Sequence, residues 1–162
     1  MKQSLLKILA LTASIINISI FSSSLAWSAN VDSILAEQKA PAGVVFEIVS
    51  GQADLLNKLL PTLKTDIMRL RKRFPNIAIA IVSHGSEQFA LTTENKKQAT
   101  LAHSLVEELV NKNKVDVHVC ETHAGWYGIT AEDFPSYVDV TPAGPTQIND
   151  YVELGYDLIV LP

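Results

Sequence analysis

Apolar positions along this chain of 162 residues fall into alternating runs of two periods. Val44-Val45-Phe46-Glu47-Ile48-Val49 is rich in β-formers, is stopped by Ser50-Gly51, and predicts a first strand. Leu56, Leu59, Leu60, Leu63, Ile67, Leu70 and Phe74 then recur three and four apart, which is one apolar face of a helix. Pro61 lies inside that pattern, where its missing N–H and its ring predict a kink or a fresh helix start. Ile77-Ala78-Ile79-Ala80-Ile81-Val82 is apolar at every position, as suits a strand covered on both faces of a parallel sheet, and Ser83-His84-Gly85 breaks it.

Leu101, Leu105 and Leu109, with Ala102, Val106 and Val110 beside them, give a second helical face. Val115, Val117 and Val119 alternate with Asp116 and His118 in a third strand that ends at Cys120. Residues 137–140 predict a short fourth strand, Gly144-Pro145 opens a helix that Gly155 ends, and residues 157–161 form a fifth strand. Between them, Thr130-Ala131-Glu132-Asp133 reads as a helix start capped by Thr130 and stopped by Pro135. The order is βαβαβ, an irregular segment, then βαβ. It predicts a mostly parallel five-stranded sheet with helices on both faces, in one domain over residues 42–162. Residues 29–41 are expected to be a loose leader, in which Ile34 and Leu35 could form one helical turn.

The amino-terminal end has a different character. Lys2 and Lys7 flank the start of an apolar stretch reaching Phe21, and Ala26 and Ser28 are small residues two apart. This is the layout of a secretory signal peptide over residues 1–28, cleaved after Ser28. Thr12, Ser14, Asn17 and Ser19 interrupt the stretch, so no stable membrane anchor is expected, and the destination is the periplasm or the exterior. The first 29 residues hold two of the 13 lysines and arginines and no acid, leaving 11 basic against 17 acidic residues, a net charge of −6. An acidic domain whose longest basic run is Arg71-Lys72-Arg73 does not suit nucleic acid. A single cysteine excludes an internal disulfide.

In an open parallel sheet, ligands meet the carboxyl ends of the strands, which directs attention to Ser50-Gly51, Ser83-His84-Gly85 and Cys120-Glu121-Thr122-His123. Cys120 reads either as a buried small hydrophobe, the commonest fate of a free cysteine, or, from its place at a strand end leading into a polar loop, as a thiol that a partner can reach. His84 follows an apolar strand and precedes a glycine, so it reads either as a site residue or as a hydrogen-bonded turn residue. His123 could reach the thiol if the loop turns back. His118, inside the strand, reads as packed, and His103 as a surface or boundary residue of the second helix. His118, Cys120 and His123 with His84 could also surround a zinc or copper ion, although their spacing matches no standard pattern. Trp126, Tyr127, Phe134 and Tyr137 read as anchors of a long loop or as an interface. No dinucleotide, Walker or nucleophile-elbow motif is present, and no cofactor is expected.

The segment Ile81-Val82-Ser83-His84-Gly85, the strand delivering Cys120, and the tail from Gly144-Pro145-Thr146-Gln147-Ile148-Asn149-Asp150-Tyr151 to Asp157-Leu158-Ile159-Val160-Leu161 resemble the DsrE/DsrF-like family. The likeness spans about residues 42–162. It implies a flavodoxin-like three-layer α/β/α fold and assembly into trimers or hexamers. In members that carry the strand-end cysteine, it also implies a sulfur relay in which that cysteine takes up sulfane sulfur as a persulfide and passes it to a partner thiol. The matching residue is Cys120. Such transfer calls for an exposed sulfur and a docking shape. Relay members act in the cytoplasm on transfer-RNA thiolation or dissimilatory sulfite reduction, so an export signal argues against the first. The expectation is an exported persulfide carrier or sulfurtransferase using Cys120, with His84 and His123 tuning the thiol, no cofactor, and a thiol-bearing donor or acceptor protein as partner. The alternatives are a metal-binding module and an oligomeric interaction module without catalysis.

Overall fold

Five strands form where β-branched and aromatic residues run together: β1 (Gly43–Ile48), β2 (Ala78–Ser83), β3 (Asp116–Cys120), β4 (Asp139–Thr141) and β5 (Tyr156–Leu161). The computed structural model describes residues 29–161, so the expected signal peptide over residues 1–28 lies outside the described residues. The strands pair in parallel throughout, in the order β4-β3-β2-β1-β5. The all-apolar β2 is the central strand, and Ile79, Ala80, Ile81 and Val82 are buried on both its faces.

Parallel neighbours need crossovers, and helices provide them. The helices are α1 (Val31–Leu35), α2 (Leu55–Arg73), α3 (Thr100–Asn111), α4 (Glu121–Gly125) and α5 (Gly144–Glu153). Alternation along the strands divides the interior in two. Val44, Phe46, Ile48, Ile79, Ile81, Val117 and Val119 pack with Leu60, Leu63, Ile67, Val106 and Leu109 of α2 and α3. Val45, Ala80 and Val82 pack on the other face beneath Ile148 and Tyr151 of α5. The result is a three-layer α/β/α sandwich whose second face is covered by one helix among the described residues.

Several expectations are corrected. α2 runs without a break through Pro61, so no fresh start occurs there. The leader is docked: Asn30 and Ser33 form a capping box, Ile34 is fully buried against the core, and Asp32 pairs with Arg69 at 2.6 Å. β4 starts at Asp139, two residues later than expected, and Tyr137 instead turns its hydroxyl to His103 of α3. Only a 3-10 turn, Ala131–Asp133, follows Thr130, held by the Thr130–Asp133 capping box. α5 starts at Gly144, with Pro145 in its first turn, and Gly155 follows its end at φ 87°, a left-handed conformation that favours glycine.

Candidate functional site

At the carboxyl edge of the sheet, the strand ends are fastened by a 3-10 turn over Ser86–Leu91. Two adjacent side chains of this turn, both fully buried, do the fastening. The Glu87 carboxylate accepts the Ser50 N–H (2.7 Å) beyond β1, the Ser83 hydroxyl (2.8 Å) at the end of β2 and the Gly85 N–H (2.9 Å). Gln88 accepts the Cys120 N–H at 2.7 Å through Oε1, which ties the turn to the end of β3. A buried carboxylate without a cation is tolerated when its oxygens are well supplied with donors, as here. Gly85 permits the arrangement, since a Cβ there would lie 2.5 Å from the Ser50 backbone.

Cys120 is the last residue of β3 and the N-cap of α4. Its Sγ accepts the His123 N–H at 3.5 Å, while Thr122 donates its N–H (3.2 Å) and hydroxyl (2.6 Å) to the Pro142 carbonyl after β4. The expected polar loop after Cys120 is therefore a five-residue helix beginning on the cysteine itself. The thiol is also less open than expected: Cys120 is 4% exposed, so a reagent larger than water needs a local opening to reach it. A helix as short as α4 has little stability of its own, which makes such an opening local rather than global.

The His123 imidazole stacks on Phe89 with ring centroids 5.4 Å apart and lies 5.3 Å from Trp126 and 5.4 Å from Tyr127. Its Nε2 is buried without a hydrogen-bond partner among the described residues, as is Nε2 of Gln88. Trp126 and Tyr127 are largely exposed and edge this aromatic group, while Phe134 is buried in the core. His123 thus meets the sulfur through its backbone, with its ring turned to the aromatics.

His84 lies at the neighbouring strand end. Its Nε2 is 2.8 Å from Oε1 of Glu47, the one charged residue of β1, and its Cβ is so close to Gly144 that a Cβ there would lie 2.5 Å from it. The ring is therefore held between β1 and the start of α5, next to Cys120 in strand order but in no hydrogen bond with it. His118 pairs with the Tyr151 hydroxyl at 2.8 Å, and burial pushes the imidazole below its ordinary range and the phenol up to about 12. His103 is not a surface residue. It is 1% exposed, bonded to Tyr137 and to the Thr92 carbonyl, and burial lowers its pKa too. With His84 and His118 engaged in this way, no group of three potential metal-ligating side chains is gathered among the described residues. Nor is any described helix long and apolar enough to cross a membrane.

Sequence reasoning missed Glu47, Glu87 and Gln88. The signal available was their polarity within otherwise apolar stretches: Glu47 alone in a strand, and Glu87-Gln88 between the Gly85 turn and Phe89-Ala90-Leu91. An acid and an amide in that setting need buried donors and acceptors.

This sandwich with a cysteine at the end of its third strand has recognisable relatives. The chain belongs to the DsrE/DsrF-like family, which it matches over residues 55–161. Solved structures share the fold, among them the following two. The protein of unknown function MTH1491 from Methanobacterium thermoautotrophicum is 18% identical with a TM-score of 0.57, over 73% of this chain and 97% of that one. The ychN protein from E. coli is 16% identical with a TM-score of 0.57, over 74% and 99% of the respective chains. The comparison with curated proteins gives no match.

Proposed function

We propose that this chain is an exported sulfur carrier that holds sulfane sulfur as a persulfide on Cys120 and hands it to the thiol of a partner protein. The observation that carries the reading is the lone sulfur at the carboxyl end of β3, with a backbone N–H directed at Sγ, in a chain whose family is associated with sulfur relay. In loading, the Cys120 thiolate attacks the outer S–H sulfur of a hydropolysulfide. The Sγ–S bond forms, the donor's S–S bond breaks, and its electron pair leaves with the shortened polysulfide. Sulfane sulfur is itself the oxidant, so no cofactor takes part. In unloading, the partner's thiolate attacks the outer sulfur and Sγ departs as thiolate. His123 serves through the N–H on Sγ, and His84 holds the adjacent strand end through Glu47.

Transfer calls for an exposed sulfur and Cys120 is buried, so the reading requires that docking of the partner open α4 before sulfur passes. Export rests on the layout of residues 1–28, and the destination is the periplasm in a bacterial source. Assembly into trimers or hexamers is in keeping with a second sheet face that, among the described residues, is covered by α5 alone, with Val152, Leu154 and Val160 exposed.

Intact-mass spectrometry after incubation with inorganic polysulfide tests the reading. The wild type should gain the mass of one or two sulfur atoms, removable by dithiothreitol, and Cys120→Ser should gain none. An unmodified wild-type mass rejects the carrier role.

A further inference from the structure

We infer that Gln88 is a positioning residue for the sulfur borne by Cys120, its Oε1 holding the strand-end backbone while its Nε2 donates a hydrogen bond to the outer sulfur of the persulfide. This rests on the sulfur-carrier reading above.

Gln88 is 0% exposed, an uncommon place for an amide side chain. Half of its carboxamide is accounted for, since Oε1 accepts the Cys120 N–H at 2.7 Å. That bond also fixes which end is which, because the flipped amide would set NH2 against N–H. The other half is left over: Nε2 has two donor hydrogens, is buried, and finds no acceptor among the described residues. Buried donors in this condition are few in native proteins, and each calls for an explanation. Both halves belong to one planar group, so the unused donor lies in the shell around Cys120.

Loading supplies what this shell lacks. A persulfide lengthens the side chain by one atom and ends in a polarisable sulfur that, once deprotonated, is an anionic acceptor. The turn carrying Gln88 is fixed independently by the three hydrogen bonds to Glu87. The donor is thus held in place before sulfur arrives. On the same turn, Phe89 supports the ring of His123, whose Nε2 is the second buried, unpartnered nitrogen of this shell. Residues 87, 88 and 89 accordingly set the strand ends, the sulfur and the histidine in succession.

Two measurements on polysulfide-loaded protein decide the matter. In 15N-labelled wild type, the Gln88 side-chain NH2 signals, assigned by their loss in Gln88→Met, should shift on loading and return when dithiothreitol strips the sulfur. In Cys120→Ser they should stay still. The mass adduct on Gln88→Met should decay at least tenfold faster than on wild type, a decade corresponding to about 1.4 kcal/mol. A purely structural glutamine would change the melting temperature without coupling its NH2 signals to sulfur. An unmoved NH2 pair in loaded wild type, or an unchanged adduct lifetime in folded Gln88→Met, overturns the role of Gln88 and leaves the carrier reading standing. A wild type that takes up no sulfur overturns both. If Gln88→Met does not fold, the amide signals are assigned by sequential spectroscopy and the wild-type shift alone decides.

Discussion

Glu87 has the most heavily used side chain at the carboxyl edge, with one carboxylate accepting from three donors on two strand ends. Glu87→Ala leaves those donors without their acceptor inside the protein, where each unmet group costs about 1–3 kcal/mol. We expect a loss of about 3 kcal/mol or more in urea unfolding, with Glu87→Gln intermediate because its amide keeps only one acceptor. A loss under 1 kcal/mol would mean that solvent replaces the carboxylate. This residue also illustrates what the sequence conceals. Cys120 and His84 were legible because strand ends of a parallel sheet are predictable from apolar runs, and the residues there stand out by type. Glu87 and Gln88 were not, because side-chain bonds to the backbone have no periodicity and Gln88 is 32 residues from its partner. The full burial of His103 is hidden for the same reason: its helical spacing allows surface or boundary, and the hydroxyl that satisfies it inside belongs to Tyr137, 34 residues away.

At the scale of elements, the strands and long helices follow the hydrophobic periods closely, and the departures occur where tertiary packing overrides local preference. Proline inside a helix removes one backbone hydrogen bond and crowds the preceding turn, yet α2 continues through Pro61. Its buried side chains Leu56, Leu60, Leu63, Ile67 and Leu70 lie on both sides of the proline, and keeping them on one stripe outweighs the local cost. Pro61 itself is exposed, so Pro61→Ala can restore the N–H to the Asn57 carbonyl without disturbing the core. We expect a gain of about 1–2 kcal/mol in stability, read from the denaturant midpoint, partly offset by the greater freedom of the unfolded chain. A destabilised Pro61→Ala would show that the helix needs the irregularity. α1 is the converse case: five residues have no helical stability of their own, and a capping box, the fully buried Ile34 and the Asp32–Arg69 pair seat them together.

For the whole molecule, two histidines, His103 fully buried and His118 half-buried, set the response to acid. Burial is the largest influence on both His103 and His118 and lowers each below 6.5, so the native state binds protons less readily than the unfolded chain. Stability is therefore fully present above about pH 6.5 and declines as the pH falls from there through the lowered native values. Asp157, raised by burial, acts in the opposite sense, but only on approach to the carboxylate range. Urea midpoints measured between pH 7.5 and roughly 5 should fall with acidification. A flat profile would mean that these rings take up protons in the fold at no cost. Glu87 and Gln88 are neighbours in sequence. Their side chains grip different strands, so a residue gained or lost between Gly85 and Glu87 would slide both out of mesh together, like a key cut one notch short. The spacing of this turn is therefore as much a part of the site as the two side chains it carries.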